Sequence, residues 1–261
     1  MRRESSAATS GAGSPSATVP TGGGASVEPR AGTECDEGFF ADDGACVALP
    51  DFDGELPLLS AMENIHRERS GRWAIYEQIP RMPERPANYD RYRYPIPSGL
   101  AGGHTVISGY DLDLGDERQR RGKKLHAVGH GGLDLPAPRG TPIKLIHLEH
   151  EQGETQIVYV GHLFGNTVVT KHTVREAGRL RDYVLLYGHL DRPEPGLAAH
   201  RVVLEGETIG YVGDSDSPSL VHLHLEARRV REEVDILSTP PSRLLDRTVV
   251  CDARNVLPLR E

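Results

Sequence analysis

Between residues 94 and 230, hydrophobic and polar residues alternate in short runs that are separated by Gly, Pro and Asp. A period of two predicts strands with one buried face, and frequent turn residues between the runs favour a mostly antiparallel sheet. No segment of this region carries a long helical period. The pattern therefore predicts a mainly β domain with strands over 142–147, 155–162, 166–172, 182–191, 208–212 and 220–229.

The beginning of the chain has a different composition. Residues 1–34 are mostly Ser, Gly, Ala, Pro and Thr without apolar periodicity, which predicts a disordered leader. Cys35 and Cys46 flank a run of Asp and Gly residues and could close a small disulfide loop, which would leave Cys251 unpaired. Three free thiols in a reducing compartment are the alternative.

The remainder of the segment 35–93 predicts a small helical and loop extension. Met62, Ile65, Trp73 and Ile75 follow a broken helical period that Gly71 interrupts, which favours one or two short helices over 59–79. Residues 80–97 contain five prolines, which force an extended strap that leads into the core. The predicted organisation is thus a leader, an extension over 35–93, a domain over 94–230 and a C-terminal extension over 231–261.

Composition and charge exclude two classes of partner. Apolar runs such as those at 56–59 and 184–187 are only a few residues long, far short of the roughly 20 residues that cross a bilayer, so no transmembrane segment is expected. There are 38 acidic and 30 basic residues, giving a net charge of −8, which argues against a nucleic-acid partner.

Export is a separate question. The start of the chain has two Arg but lacks the apolar stretch of a secretory signal, so the protein is either cytosolic or synthesised with a signal that this chain does not show.

The chain holds twelve His against three Cys, and some of the His are patterned. His130 precedes Asp134 by four positions, and His222 and His224 lie two apart on a predicted strand, where both face the same side. Each pair alone is expected by chance in a His-rich chain. Together, two imidazoles and one carboxylate make a three-ligand set with an open fourth position, which is typical of a catalytic rather than a structural zinc.

The order of these motifs resembles the lysostaphin and LytM type of zinc endopeptidases, which cut peptide cross-links of bacterial cell walls. The resemblance runs through residues 94–230. Its elements are Tyr94-Pro-Ile-Pro97 with Ser108-Gly-Tyr110, the stretch from His130-Gly-Gly-Leu-Asp134 through Gly140-Thr-Pro-Ile143, Phe164–His172, Leu186-Tyr-Gly-His-Leu190, Gly206–Gly213 and His222-Leu-His-Leu-Glu226.

The resemblance implies a lysostaphin-like peptidase domain in which His130, Asp134 and His224 bind Zn²⁺. It also implies that His189 and His222 flank the reacting water and carbonyl; we expect His222 as the base and His189 as the oxyanion stabiliser, although the sequence does not rank them. An interior His with a structural role is the alternative for His189. Glu226 shares the face of His222 and His224, so it either orients an imidazole or lies at the surface.

The functional expectation is a zinc metalloendopeptidase that acts on peptidoglycan peptides and is secreted, periplasmic or bound to the cell envelope. An inactive relative that binds cell wall or regulates another hydrolase is the alternative. This chain also departs from the family: Leu225 replaces the usual Phe, and 214–221 replaces a loop rich in Gly and Thr. Because that loop borders the substrate groove, it bears on substrate preference.

Overall fold

A computed structural model describes residues 39–42, 45–48, 60–67, 73–97, 105–112 and 129–260. The chain divides into two compact units, residues 1–54 and 55–261. In the first unit, β1 (Phe39–Asp42) and β2 (Ala45–Ala48) form an antiparallel hairpin. The predicted leader over 1–34 and Cys35, one half of the possible disulfide, lie outside the described residues.

The described part of the second unit is built on one eleven-stranded sheet. Its strands are β3 (Met62–Arg67), β4 (Trp73–Ile79), β5 (Leu133–Pro136), β6 (Pro142–Lys144), β7 (Thr155–Leu163), β8 (Gly165–Glu176), β9 (Arg179–Pro193), β10 (Val202–Val203), β11 (Thr208–Val212), β12 (His222–Val230) and β13 (Thr248–Cys251). The main path runs β10-β7-β8-β9-β12-β13-β4-β3, β11 joins β6 to β9, and β5 pairs with β12.

The mainly β fold class is confirmed. All six predicted strands are present, although β8 and β9 extend beyond the predicted bounds into a long hairpin. The ladders are antiparallel except for β13 and β4, which run parallel, so the sheet is mixed. Among the described residues the only helical turns are short 3₁₀ segments, Tyr89–Arg91, Pro241–Arg243 and Ala253–Asn255.

The prediction of helices over 59–79 is wrong. The described residues of this range form the antiparallel strands β3 and β4, in which Met62 pairs with Gln78 and Arg67 with Trp73. β4 also pairs with β13, about 170 positions later in the chain, and a local hydrophobic period does not reveal such a partner.

The two faces of β9 pack into two hydrophobic layers. Tyr183, Leu185 and Tyr187 lie in the larger core, whereas Val184 and Leu186 lie in a smaller cluster on the opposite face. This alternation is the expected result of a strand that is covered on both sides.

The proline-rich strap closes the larger core together with the C-terminal residues. Tyr92 and Ile96 of the strap are buried in that core. Met82 N donates to Asn255 Oδ1, and Arg85 Nε donates to the Arg254 carbonyl at 2.8 Å. Cys251, in β13, is a buried free thiol.

A buried polar chain crosses the larger core away from the predicted site. His172 Nδ1 lies 3.0 Å from both carboxylate oxygens of Glu151, and its Nε2 lies 2.7 Å from Thr170 Oγ1. The side chains of His172 and Glu151 are 0% and 4% exposed. Burial alone would raise the pKa of Glu151, but the hydrogen bonds from His172 and Thr155 lower it.

We expect Glu151 to make the stability of the fold dependent on pH. Because its pKa is lowered in the folded state, its contribution is complete above the unfolded value of about 4.3 and is lost as the pH falls through the folded pKa. Glu151→Gln should cost about 1–3 kcal/mol at neutral pH and flatten the acid limb of a stability profile from chemical denaturation. The exposed Glu154→Gln is the control; equal effects of the two changes would contradict this assignment.

Candidate metal centre

The pairing of β5 with β12 brings the predicted ligands together. In this antiparallel ladder His224 stands opposite Asp134, and on the other edge of β12 it stands opposite Gly188 of β9. His130 precedes β5 and is held by an antiparallel bridge to Asp111. The alternation of β12 places His222, His224 and Glu226 on the face opposite Leu223 and Leu225, which lie in the core.

Three donor atoms form a small triangle at this point. His130 Nε2 lies 3.1 Å from Asp134 Oδ1 and 3.3 Å from His224 Nδ1, and His224 Nδ1 lies 3.1 Å from the same Oδ1. The three side chains are 10%, 10% and 8% exposed, so the triangle is nearly closed to solvent. Among the described residues this trio has the geometry of a metal-binding group.

Outer partners fix which ring nitrogen faces the triangle. His130 Nδ1 donates to the carbonyl of Gly109 at 2.8 Å, and His224 Nε2 lies 3.4 Å from Glu226 Oε2. A carbonyl or carboxylate oxygen only accepts, so these nitrogens carry the hydrogens and the inner nitrogens of the neutral rings present lone pairs. Two lone pairs therefore point at a carboxylate oxygen, an arrangement that requires a cation or a proton among them.

The two other predicted histidines lie beside the triangle. His222 Nε2 lies 3.4 Å from Asp134 Oδ1, and the ring centroids of His189 and His222 are 4.8 Å apart. Each ring donates its Nδ1 hydrogen to a backbone carbonyl, His189 to Ser215 at 2.7 Å and His222 to Leu220 at 2.9 Å. In the neutral state both rings therefore have an accepting Nε2.

The ionisable groups of the cluster shift one another's pKa values. Burial alone would raise the pKa of Asp134, but its close contacts with the His130, His222 and His224 rings lower it well below its usual range. Burial would likewise lower the pKa of His224, but Asp134 and Glu226 raise it to about 9. The carboxylate of Asp134 is thus ionised.

His189 is different. Burial lowers its pKa to about 4, more than the hydrogen bond to the Ser215 carbonyl raises it, and the neighbouring histidines lower it further. His189 is therefore neutral at pH 7.

The two glycines after His130 allow the strands to approach the histidines closely. A Cβ atom on Gly132 would lie 2.7 Å from His224 Cε1, and one on Gly131 would lie 2.9 Å from Glu226 Oε2. Real Cβ atoms essentially never come this close to other heavy atoms. Glycine is thus required at positions 131 and 132, because β12 lies too close to leave room for a side chain.

All five predicted side chains lie in one cluster, and their individual roles remain predictions. Glu226 is buried against His224, so the alternative of a surface Glu is wrong. Glu226 also pairs with Arg228, which together with His224 lowers the pKa of the carboxyl to about 2 against the effect of burial.

The sequence placed Ser108 and Gly109 in a stretch that resembles the family's entry strand, but it did not show that they contact a predicted ligand. Ser108 Oγ lies 2.9 Å from His130 Nδ1, and the Gly109 carbonyl accepts from the same nitrogen. A backbone carbonyl is present at every position, so the amino-acid sequence does not show which one accepts a hydrogen bond. The Arg at position 228 does follow the period of the histidine strand and could have been found.

Comparison with known proteins agrees with the geometry. Residues 128–236 match the profile of Peptidase family M23. This part of the chain is thus similar to that family. The match covers less than half of the chain but includes all five predicted site residues, from His130 to His224.

A curated bacterial protein is similar to part of this chain. The uncharacterized lipoprotein YgeR of Escherichia coli (strain K12) is 32% identical over 116 residues, 43% of this chain and 40% of that protein. The chain thus spans about two fifths of that curated relative.

Solved structures of low sequence identity are also similar. A zinc-containing peptidase from Vibrio cholerae is 21% identical, with a TM-score of 0.38, over 68% of this chain and 47% of that chain. The catalytic domain of lysostaphin from Staphylococcus simulans is 21% identical, with a TM-score of 0.34, over 55% of this chain and 92% of that chain.

Crowding at Gly132 should impair metal binding more than folding. Gly132→Ala places a methyl group against His224, so we expect metal affinity to fall at least about tenfold, measured by competition with a chromophoric chelator. Gly153→Ala is the control, because it strains a left-handed backbone but adds its methyl group in open space. Wild-type metal affinity in the Gly132 variant would show that metal binding by His224 does not require the close contact with Gly132.

Proposed function

We propose that this protein is a zinc-dependent endopeptidase that hydrolyses peptide cross-links of bacterial peptidoglycan. The observation that carries the proposal is the convergence of two imidazole lone pairs and one carboxylate oxygen at a nearly closed point, with two further histidines beside it. The match of residues 128–236 to Peptidase family M23 supports the reaction class.

The donor triangle fits zinc. Ligand atoms about 2.0–2.1 Å from a tetrahedral zinc lie about 3.3 Å from one another. The edges of the triangle are 3.1, 3.1 and 3.3 Å. His130, Asp134 and His224 would then hold the ion by three ligands, and no thiolate is needed. When bound, zinc would polarise the scissile carbonyl and make a bound water more acidic.

The protein's own residues supply the proton transfers. His222 Nε2 has a lone pair next to Asp134, so it can take a proton from a water that attacks the carbonyl carbon. The C–N bond then breaks as that proton passes to the leaving nitrogen. His189 is neutral with an accepting Nε2, so it would stabilise the oxyanion by a hydrogen bond only after this nitrogen has taken a proton from solvent. The assignment of base and stabiliser to these two rings is part of the proposal.

A cell-wall substrate places the protein in the cell envelope or outside the cell. The name of the E. coli relative, a lipoprotein, supports an envelope location. Among the described residues, no helix is long and apolar enough to cross a membrane.

Metal content should separate the ligands from the other histidines. We expect the purified protein to bind about one equivalent of zinc, and His130→Ala, Asp134→Ala and His224→Ala to abolish stoichiometric binding because two donors rarely hold zinc. His147→Ala, at an exposed histidine, is the control. Elemental analysis after dialysis checks this, and full zinc retention in all three ligand variants would refute the assignment.

Loss of hydrolysis without loss of zinc should mark the proton-transfer residues. His222→Ala and His189→Ala should each keep about one zinc and lower kcat by roughly 10²–10⁴-fold. Mass analysis of products from defined cell-wall fragments checks both the activity and the bond cut. Zinc binding without product from the wild-type protein would instead support an inactive relative that binds cell wall.

A further inference from the structure

The loop between β11 and β12, residues 214–221, supplies the acceptors for both candidate proton-transfer histidines. His189 donates to the Ser215 carbonyl and His222 to the Leu220 carbonyl. One loop thereby sets the tautomer of both rings, and it does so with backbone atoms at its two ends. The same loop is the segment in which this chain departs from the resembling family.

Side chains tie the beginning of the loop to the sheet. Ser215 Oγ donates to the Leu190 carbonyl at 2.8 Å and accepts from Asn166 N at 2.8 Å. Arg139 pairs with Asp214 of the loop and, at 2.9 Å, with Asp191 at the end of β9. These contacts hold the residues on either side of the Ser215 carbonyl and so restrict its rotation.

The turn between β7 and β8 fits closely beneath the same carbonyl. Gly165 has φ +62°, and a Cβ atom there would lie 2.3 Å from the Ser215 oxygen. His189 itself has φ +57°, an unusual conformation for a residue with a side chain, and its N–H donates to the Phe164 carbonyl at 2.8 Å. A strained backbone at a histidine persists when surrounding contacts over-determine it.

We propose that the 214–221 loop is a positioning element for His189 and His222, and that Ser215 and the Arg139–Asp214 ion pair are the residues that hold it in register. The inference rests on the proposed function of the two histidines. Neither Arg139 nor Asp214 contacts the donor triangle, so their effect would pass through the Ser215 carbonyl to His189.

Kinetics distinguish a positioning loop from a substrate-binding rim. Ser215→Ala and Arg139→Ala should each lower kcat by about tenfold, with KM within about twofold and zinc content unchanged. The matched control is Arg192→Ala, because Arg192 is also exposed and pairs with Asp191 but does not reach Asp214. Raised KM with unchanged kcat would overturn the proposal and make the loop a substrate contact.

A double-mutant cycle tests the ion pair itself. Asp214→Asn should match Arg139→Ala, and the double variant should be no worse than either single variant, because both remove one tie. Arg139→Lys should recover part of kcat. Fully additive losses would overturn the assignment of Arg139 and Asp214 to one tie. Since Arg139 is 48% exposed, its removal should not prevent folding even if Ser215→Ala does.

Imidazole ¹⁵N spectra provide a readout that does not depend on hydrolysis. In the wild-type protein we expect His189 and His222 as Nδ1–H tautomers, and in Arg139→Ala or Ser215→Ala a mixed tautomer signal for His189. Unchanged spectra together with unchanged kcat would overturn the proposal. If the wild-type protein cuts no cell wall, the proposed function fails, while these spectra still decide whether the loop sets the tautomers.

Discussion

The candidate site depends on the register of β12 between its neighbours. His224 faces Asp134 on one edge and Gly188 on the other, and a shift of one residue would turn His222, His224 and Glu226 into the hydrophobic core. The buried Leu223 and Leu225 oppose such a shift, since they would become exposed on the polar face. Hydrophobic burial therefore fixes the position of the donor atoms, and the polar contacts refine it.

Hydrogen bonding at the far nitrogen of each ring is the second level of control. Four histidines each have an outer acceptor, which is a carbonyl for three of them and a carboxylate for His224. Each neutral ring thus presents one lone pair inward. A sequence shows the histidines but not these acceptors, because any residue type brings a backbone carbonyl.

This difference explains what could be predicted. The period of two in 142–230 predicted the strands, since the alternation is itself the cause of the sheet's two faces. Spacing and order identified His130, Asp134 and His224. The helices expected over 59–79 were wrong because β4 depends on a distant partner. The contacts of Ser108, Gly109 and Ser215 with the histidines could not be predicted because they depend on how loops fold back.

One edge of β12 pairs with two different strands, and this limits where the domain can be truncated. His222–Leu225 pair with β5, but Ala227–Val230 pair with β13, which lies beyond the family match that ends at residue 236. A fragment trimmed to the matched segment would leave the second half of the histidine strand with open N–H and C=O groups, a template for aggregation. The segment after the peptidase motif is thus part of the same folding unit as the strand that holds the site.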